Sequence, residues 1–527
     1  MAVPPVQPSP AVGADPASSR AVRALMLVRD IVLVLLVCLA LPLALVAVPN
    51  TISLVSSLLP PALPAPDVVR AHGLALPAMM LTVPLAAVLL RRVRAAIVIV
   101  GALALLVAAD VAGGHADSVM SIALIRVVRG VAGGALLPAT LAAVWERSVA
   151  LRAVWAASLA LGLLAAQALA LWPLDDVTSW QVALRPYPMP TGIALGLAVV
   201  YTLLGLVGGR GPAPRPEHGE RGRLLLALAP ATGIAVFALC AAYEWAVDYV
   251  IPAAVVAFLA LLGVASTGEA RGRRASYAIV AMGAVVLPTS AQVTNVELAG
   301  LGGPGLNGLW AAFAAAVGMA VVGAVVAGKA RDSVLARLPL AGALMVVAGL
   351  CAIRLVVPTE SGLLIAVPFG LLAVGVALAV TAAFRMTDIG MALFALALGI
   401  PAVLAGFLLG TGVQVPRLRA ATSAQGLADA FVEAVHTWAL VGGFLVVAVI
   451  ALDAVLARRR GDVITVERRG EGGTGGVGGV EEATGPGAIG EKSGAFPGDR
   501  LVAGGPARPS VPPPTPSPEA APGEEPR

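Results

Sequence analysis

Charge is scarce in this chain: Asp, Glu, Lys and Arg make up 12% of 527 residues, where a soluble domain carries about 25%. A soluble fold needs polar side chains to cover itself, and with 59% of its residues apolar this chain does not have them. Cysteine is nearly absent. Cys38, Cys240 and Cys351 each lie in an apolar stretch with no C-x-x-C spacing, which excludes a disulfide framework and a thiolate metal site and makes them expected small packing residues. The four histidines, His72, His115, His218 and His436, are scattered and mostly close to span ends. They provide no metal-ligand spacing and no histidine proton relay, and no cofactor is expected.

What is present is a series of long apolar runs. Each is long enough to cross a hydrocarbon core about 30 Å thick at about 1.5 Å per residue. Segments such as Ala95 to Ala109 are apolar on every face, whereas barrel strands would alternate. The fold class read from this is all-α, a polytopic helical bundle of fourteen spans. Six are expected from about Ala24 to Val48, Val69 to Leu90, Ala95 to Gly113, Val119 to Trp145, Val149 to Trp172 and Met189 to Val207. Four follow at Leu224 to Ala242, Tyr249 to Ala265, Ser276 to Val293 and Leu306 to Ala327. The last four run from Leu338 to Val357, Leu363 to Phe384, Ile389 to Leu409 and Val435 to Leu456.

Lys and Arg concentrate in cytoplasmic loops. With the N-terminus inside, the inner loops hold Arg91, Arg92, Arg94, Arg147, Arg152, Arg210, Arg215, Arg221, Arg223, Arg271, Arg273, Arg274, Lys329, Arg331, Arg337 and Arg385. The outer loops hold Arg70, Arg185, Arg417 and Arg419 beside Asp67, Asp117, Asp175, Asp176, Glu244, Asp248, Glu297 and Glu360. The pattern persists to Arg458, Arg459 and Arg460, so the span count is even. Both termini are expected in the cytoplasm, the protein in the inner (plasma) membrane, and its first span retained rather than cleaved. The same topology accounts for the net charge of +5 without a nucleic-acid partner.

From about Gly461 the chain turns to Gly, Pro, Glu and Ser, a composition that cannot bury enough to fold. Residues 1–23 and the tail 458–527 are expected to be disordered, and the tail's partner is not legible. Gly485 to Ser493 is only faintly like a phosphate-binding loop: it is one residue too long and nothing helical or extended flanks it. No loop between spans is long enough for a soluble catalytic domain.

The fourth span carries Arg126, Arg129, Gly130, Gly134 and Pro138. A charge inside a span costs roughly 2.5 to 3.5 kcal/mol on insertion scales and faces a cavity or a partner. Arg126 and Arg129 either line a pathway or snorkel and pair with an acid such as Asp110 on the neighbouring span. Gly130 and Gly134 form a small-xxx-small pair that lets a helix approach closely. Arg126, Gly130 and Pro138 match the Arg-x-x-Gln-Gly…Pro pattern of the fourth helix in fourteen-span drug:proton antiporters, and here the chain resembles the major facilitator superfamily. Arg129 replaces the Gln. The resemblance implies that Arg126 lines the central cavity and takes part in proton coupling.

Gly328 to Asp332, with Arg337, resembles the family's Gly-x-x-x-Asp gating loop. In the first half Ala87 and Gly101 stand fourteen apart, as do Gly328 and Gly342, with Arg91, Arg92 and Arg94 in between. This is a trace of an internal repeat. Trp180 with Pro190 and Gly192, Gln292 in the ninth span, and Leu427 to Phe431 extend the resemblance. It implies a six-helix bundle at 24–208, a cytoplasmic loop at 209–223, two inserted helices at 224–266 and a second six-helix bundle at 276–457.

The departures are equally specific. Ala40 stands where the family's first helix has an Asp, Arg91 where the first gating loop has its Asp, and Val149 to Trp172 lacks the antiporter Gly-Pro and Gly-Gly pairs. Three readings follow. The leading one is a secondary transporter exporting a small amphipathic solute, with protons as coupling ion by resemblance. The others are a transport-inactive membrane scaffold or sensor acting through its tail, and a membrane-embedded transferase, for which Asp175-Asp176 is the only acid pair in an outer loop.

Overall fold

In hydrocarbon every backbone N–H and C=O has to be bonded internally, so runs of this kind fold as helices. The computed structural model describes residues 16–175, 177–207, 219–242, 249–298 and 303–471, and all regular structure among them is helical. Among the described residues thirteen stretches of 19 to 34 residues are long and apolar enough to cross a bilayer, one fewer than expected; the expected span from Tyr249 to Ala265 is an apolar helix of 16 residues.

In chain order, and naming the halves by the division expected from the sequence, the first bundle is α1 (Pro16–Leu45), α2 (Ala65–His72), α3 (Ala75–Leu89), α4 (Ala95–Gly113), α5 (Val119–Trp145), α6 (Val149–Leu171) and α7 (Pro188–Val207). The inserted segment is α8 (Glu220–Leu226), α9 (Leu228–Ala242) and α10 (Val250–Ala265). The second bundle holds α11 (Ala270–Val296), α12 (Gly305–Lys329), α13 (Asp332–Leu335), α14 (Leu338–Val356), α15 (Ala366–Met386), α16 (Ile389–Ala420) and α17 (Ala424–Glu471). Within the first bundle α3 and α4 pack on α5, and α1 on α5, α6 and α7; within the second α12 and α14 pack on α15, and α11 on α16. The two meet where α6 lies against α11, α12 and α15, and where α16 lies against α3; α9 and α10 cover α16. By contact the chain divides into Met1–Ile464, which contains every span, and Thr465–Arg527, of which only the end of α17 is described.

Helix ends depart from the expected spans. α1 begins at Pro16 rather than Ala24, α16 continues to Ala420 and α17 to Glu471. Apolarity marks the bilayer crossing, while a helix runs past it as far as its backbone stays bonded. The second span is interrupted at Gly73 and Leu74, between α2 and α3. The cysteines differ from the expectation too: Cys38 and Cys351 are exposed on outward helix faces and Cys240 is half-buried. In a membrane protein an apolar face is no sign of burial, because lipid accepts it as readily as a core does. Residues 1–15, 208–218 and 472–527, with Asp176, Glu244 and Asp248, lie outside the described residues, and with them Arg210, Arg215, His218, the Gly485 to Ser493 segment and nearly all of the tail.

Candidate functional site

α5 carries its two arginines seven and ten residues from its first residue, Val119. Both are fully buried in the half of the bundle opposite the arginine-rich face. Arg126 Nε donates to the His72 carbonyl at 2.7 Å, and Nη2 donates to the carbonyls of Ala47 at 2.6 Å and Pro49 at 3.3 Å. Those carbonyls are free because α1 ends at Leu45 and because the chain breaks after His72. Arg126 thus caps two helix ends with charge-assisted bonds. Arg129 Nη1 pairs with Asp110 of α4 and donates to the Leu184 carbonyl at 2.7 Å. The ion pair leaves Arg126 as a buried cation with carbonyl partners only, and no described contact joins it to the second bundle. His72 is also buried, its Nε2 3.5 Å from the Ala183 carbonyl.

Glycine lets α5 sit this deep. A Cβ at Gly130 would run into the Ala75 carbonyl, and one at Gly134 would stand 2.6 Å from the Met79 carbonyl and 2.8 Å from Thr82 Cβ. Side chains there would push α3 away. Pro138 is buried inside α5, where the helix continues to Trp145.

Between the bundles, near mid-membrane, lies a cavity of about 20 Å³ bordered by Leu159 and Leu163 of α6, Ile279 of α11, Val376 of α15 and Ile400 of α16. It is room for about one water, and with no polar lining it stays dry. The seam is closed above and below it. On the face away from the arginines Gln167 Nε2 donates to Asn295 Oδ1 at 3.0 Å, and Trp172 meets Trp310 with ring centroids 4.1 Å apart. There Glu297, just past α11, is buried with Oε1 accepting from the Thr359 N–H at 3.2 Å and Oε2 without a described partner. Burial pushes its carboxyl up to about 7, with the Thr359 bond opposing.

On the arginine-rich face Trp145 and Trp155 of the first bundle stack against Phe384 of the second at 5.8 and 5.5 Å. Arg91 forms an ion pair with Glu220 of the inserted α8. The Glu220 carboxylate sits against Gly390 in the first turn of α16, where Asp388 Oδ2 accepts from the Gly390 and Met391 N–H groups at 2.8 and 3.1 Å. Arg223 Nη1 reaches Met391 Sδ at 3.2 Å. One short inserted helix therefore touches both bundles. Nearby, burial raises the Glu146 carboxyl, opposed by Arg29, Arg147 and Arg94.

The sequence-derived residues fall into separate places. Arg126, Arg129, Asp110, Gly130 and Gly134 come together. Gln292 does not join them; it faces Gly410 of α16. Asp332 reaches Arg385 at 3.9 Å while its own side chain is 96% exposed, a pairing of little energy. Arg385 mainly caps α12, donating to the carbonyls of Ala327 and Ala330 at 2.7 and 2.8 Å. Gly328 packs on Ala153 of the first bundle, and Arg337 turns away into a groove of the second. Glu220, Gln167, Asn295 and Glu297 escaped sequence reading. Glu297 figures in the sequence only as an outer-loop acid, and Glu220 is one of two acids, with Glu217, in an arginine-rich loop.

No protein-family model matches the chain, and no curated protein does. Solved structures do match: the proton:xylose symporter XylE, a major facilitator protein bound to 6-bromo-6-deoxy-D-glucose, and a doubly tryptophan-substituted XylE. Each aligns at a TM-score of 0.50 and 12% identity, over 81% of this chain and 95% of the other. With its all-helical fold aligned over 81% of its length to these structures, the chain has the fold of the major facilitator superfamily.

Proposed function

We propose that the protein is a secondary transporter that exports a small amphipathic solute by alternating access across the seam. The observation that carries this reading is that the seam is closed twice, by different side chains: Gln167–Asn295 with Trp172–Trp310 on one face, and Trp145, Trp155 and Phe384 with Arg91–Glu220 on the other. Either closure can open while the other holds, which is what alternating access requires. The arginine-rich face is the cytoplasmic one, and both termini lie there. XylE is a sugar symporter, but a sugar needs a ring of polar groups, and the mid-membrane lining here is Leu, Ile, Val and Met. That lining suits an apolar body. The buried Arg126, with Arg129 and Asp110 beside it, supplies the charge through which a proton gradient or a polar end of the solute acts.

The test locks one closure. After replacing Cys38, Cys240 and Cys351, cysteines at Gln167 and Asn295 are introduced and the protein is reconstituted in proteoliposomes. Movement of lipophilic cations and dyes is followed with and without an imposed pH gradient. The expected result is transport that stops on oxidation and returns on reduction. Transport indifferent to the lock would rule out this seam, and no movement of any compound in either state would favour the scaffold reading.

A further inference from the structure

Away from the seam, the second bundle has a larger opening. A groove of about 390 Å³ runs between α11, α14 and α17 at their arginine-rich ends, with Arg274, Arg337 and Asp453 at its mouth and Tyr277, Ala278 and Val449 along its depth. Its volume is that of a small-molecule site, about twenty times that of the dry cavity in the seam. The flanks face lipid: Leu340 and Leu344 on α14 are 46% and 48% exposed, and Phe444 on α17 is 72% exposed.

The mouth has an unbalanced set of polar groups. Arg274 Nε pairs with Asp453 Oδ2 at 3.2 Å, which uses one carboxylate oxygen. Asp453 Oδ1 is buried and has no hydrogen-bond partner among the described residues. Arg337 has no carboxylate partner among the described residues either. The mouth therefore offers a net positive charge, bidentate donors for an anion, and an orphaned acceptor that needs a hydroxyl or ammonium donor. Behind it the wall is mostly apolar, with Ala278, Ala281, Val446 and Val449.

We infer that this groove binds an anionic phospholipid with a hydroxylated headgroup: the phosphate on Arg337 and Arg274, a headgroup hydroxyl donating to Asp453 Oδ1, and an acyl chain along Ala278 and Val449. Phosphatidylglycerol meets all three requirements. Phosphatidylcholine has neither the net charge nor the donor, and phosphatidylethanolamine has the donor without the net charge. Basic pockets between spans at the cytoplasmic leaflet take anionic headgroups for the same physical reason. The site is separate from the seam, so it stands or falls independently of transport.

The experiment is a lipid titration of the full-length protein, purified and stripped of lipid, read by native mass spectrometry with dioleoyl phosphatidylglycerol, phosphatidylethanolamine and phosphatidylcholine. The expected result is tightest binding of phosphatidylglycerol, about fivefold weaker in Arg337→Gln, with phosphatidylcholine binding unchanged by that substitution. Arg337 is exposed, so the variant folds; Ala278→Phe, which fills the groove, is the second probe and should remove the bound lipid. Equal binding of phosphatidylglycerol and phosphatidylcholine, phosphatidylethanolamine binding as tight as phosphatidylglycerol, or an unchanged affinity in Arg337→Gln would each overturn the assignment. So would inorganic phosphate competing as well as the lipid.

Discussion

Arg129 and Asp110 show why a buried charge in a membrane needs its partner. Both side chains are nearly sealed from solvent, at 2% and 3% exposure. Removing one member strands the other, which costs about 3–5 kcal/mol, whereas replacing both with apolar residues of similar size is close to neutral. Asp110→Ala is therefore expected to lower the melting temperature of the detergent-solubilised protein sharply, and Asp110→Ala combined with Arg129→Met to recover most of the loss. A double-mutant cycle measures the coupling; additive effects would mean that the pair does not act as a unit. If the pair also serves transport, the double variant folds and stays inactive. Glu297 leads to a prediction about pH. Its carboxyl is pushed from the ordinary 4.5 to about 7 where it is packed, so the packed state holds the proton more tightly than the unfolded one. Stability from this group is greatest below pH 4.5, falls as pH rises towards 7, and is flat above. Melting followed from pH 5 to 8 should decline in the parent and lose that part of the decline in Glu297→Gln; parallel curves would remove Glu297 from the account.

At the scale of helices, close approach decides which glycines matter. Gly134 leaves 2.6 Å between a would-be Cβ and the Met79 carbonyl of α3, whereas a Cβ at Gly101 in α4 would have no neighbour within 4 Å. Gly134→Leu has to push two helices apart and is expected to cost more than about 3 kcal/mol. Gly101→Leu, which points its side chain outward, should stay within about 0.5 kcal/mol. Both are read as melting temperatures in the same detergent. The comparison also separates what was legible in the sequence from what was not. Apolar runs gave the thirteen helices long enough to cross, because length and hydropathy are local properties. The small-xxx-small pair in α5 identified a packing face for a local reason as well. Gly101 took part in the fourteen-residue repeat yet packs on nothing, since a repeat records spacing and not contact. The partners of Arg126 were illegible for a different reason: they are backbone carbonyls, exposed by a break at Gly73 and by the end of α1 at Leu45, and a carbonyl has no letter in the sequence. Asp110 was visible as an acid near Arg129, but no periodicity says which of two arginines on one helix it will meet.

For the whole molecule, the question is what holds the arginine-rich face shut. The loop between α3 and α4 carries Arg91 where the resembling family has an acid, which by sequence is a loss. In the fold the acid arrives from elsewhere: α8 brings Glu220 onto Arg91 and against the first turn of α16. The Arg91 guanidinium stabilises the Glu220 carboxylate there, while the positive end of the α16 dipole is already capped by the Asp388 carboxylate beside it. α16 belongs to the second bundle and Arg91 to the first, so separating the bundles on this face has to break one of those contacts. Glu220→Gln keeps the shape and removes the charge, and it should weaken the closure by about 1–2 kcal/mol, a shift of roughly five- to thirtyfold in the open-to-closed ratio. Spin labels on Gly328 and Ala153, which pack together across this face, would report the shift as a new population at longer distance in pulsed electron resonance. Labels on Gln167 and Asn295, on the opposite face, should show no such population. If both pairs separate together, Glu220 supports the assembly of the bundles as a whole; if only the first pair opens, the inserted helix acts as a clamp on one side of the seam.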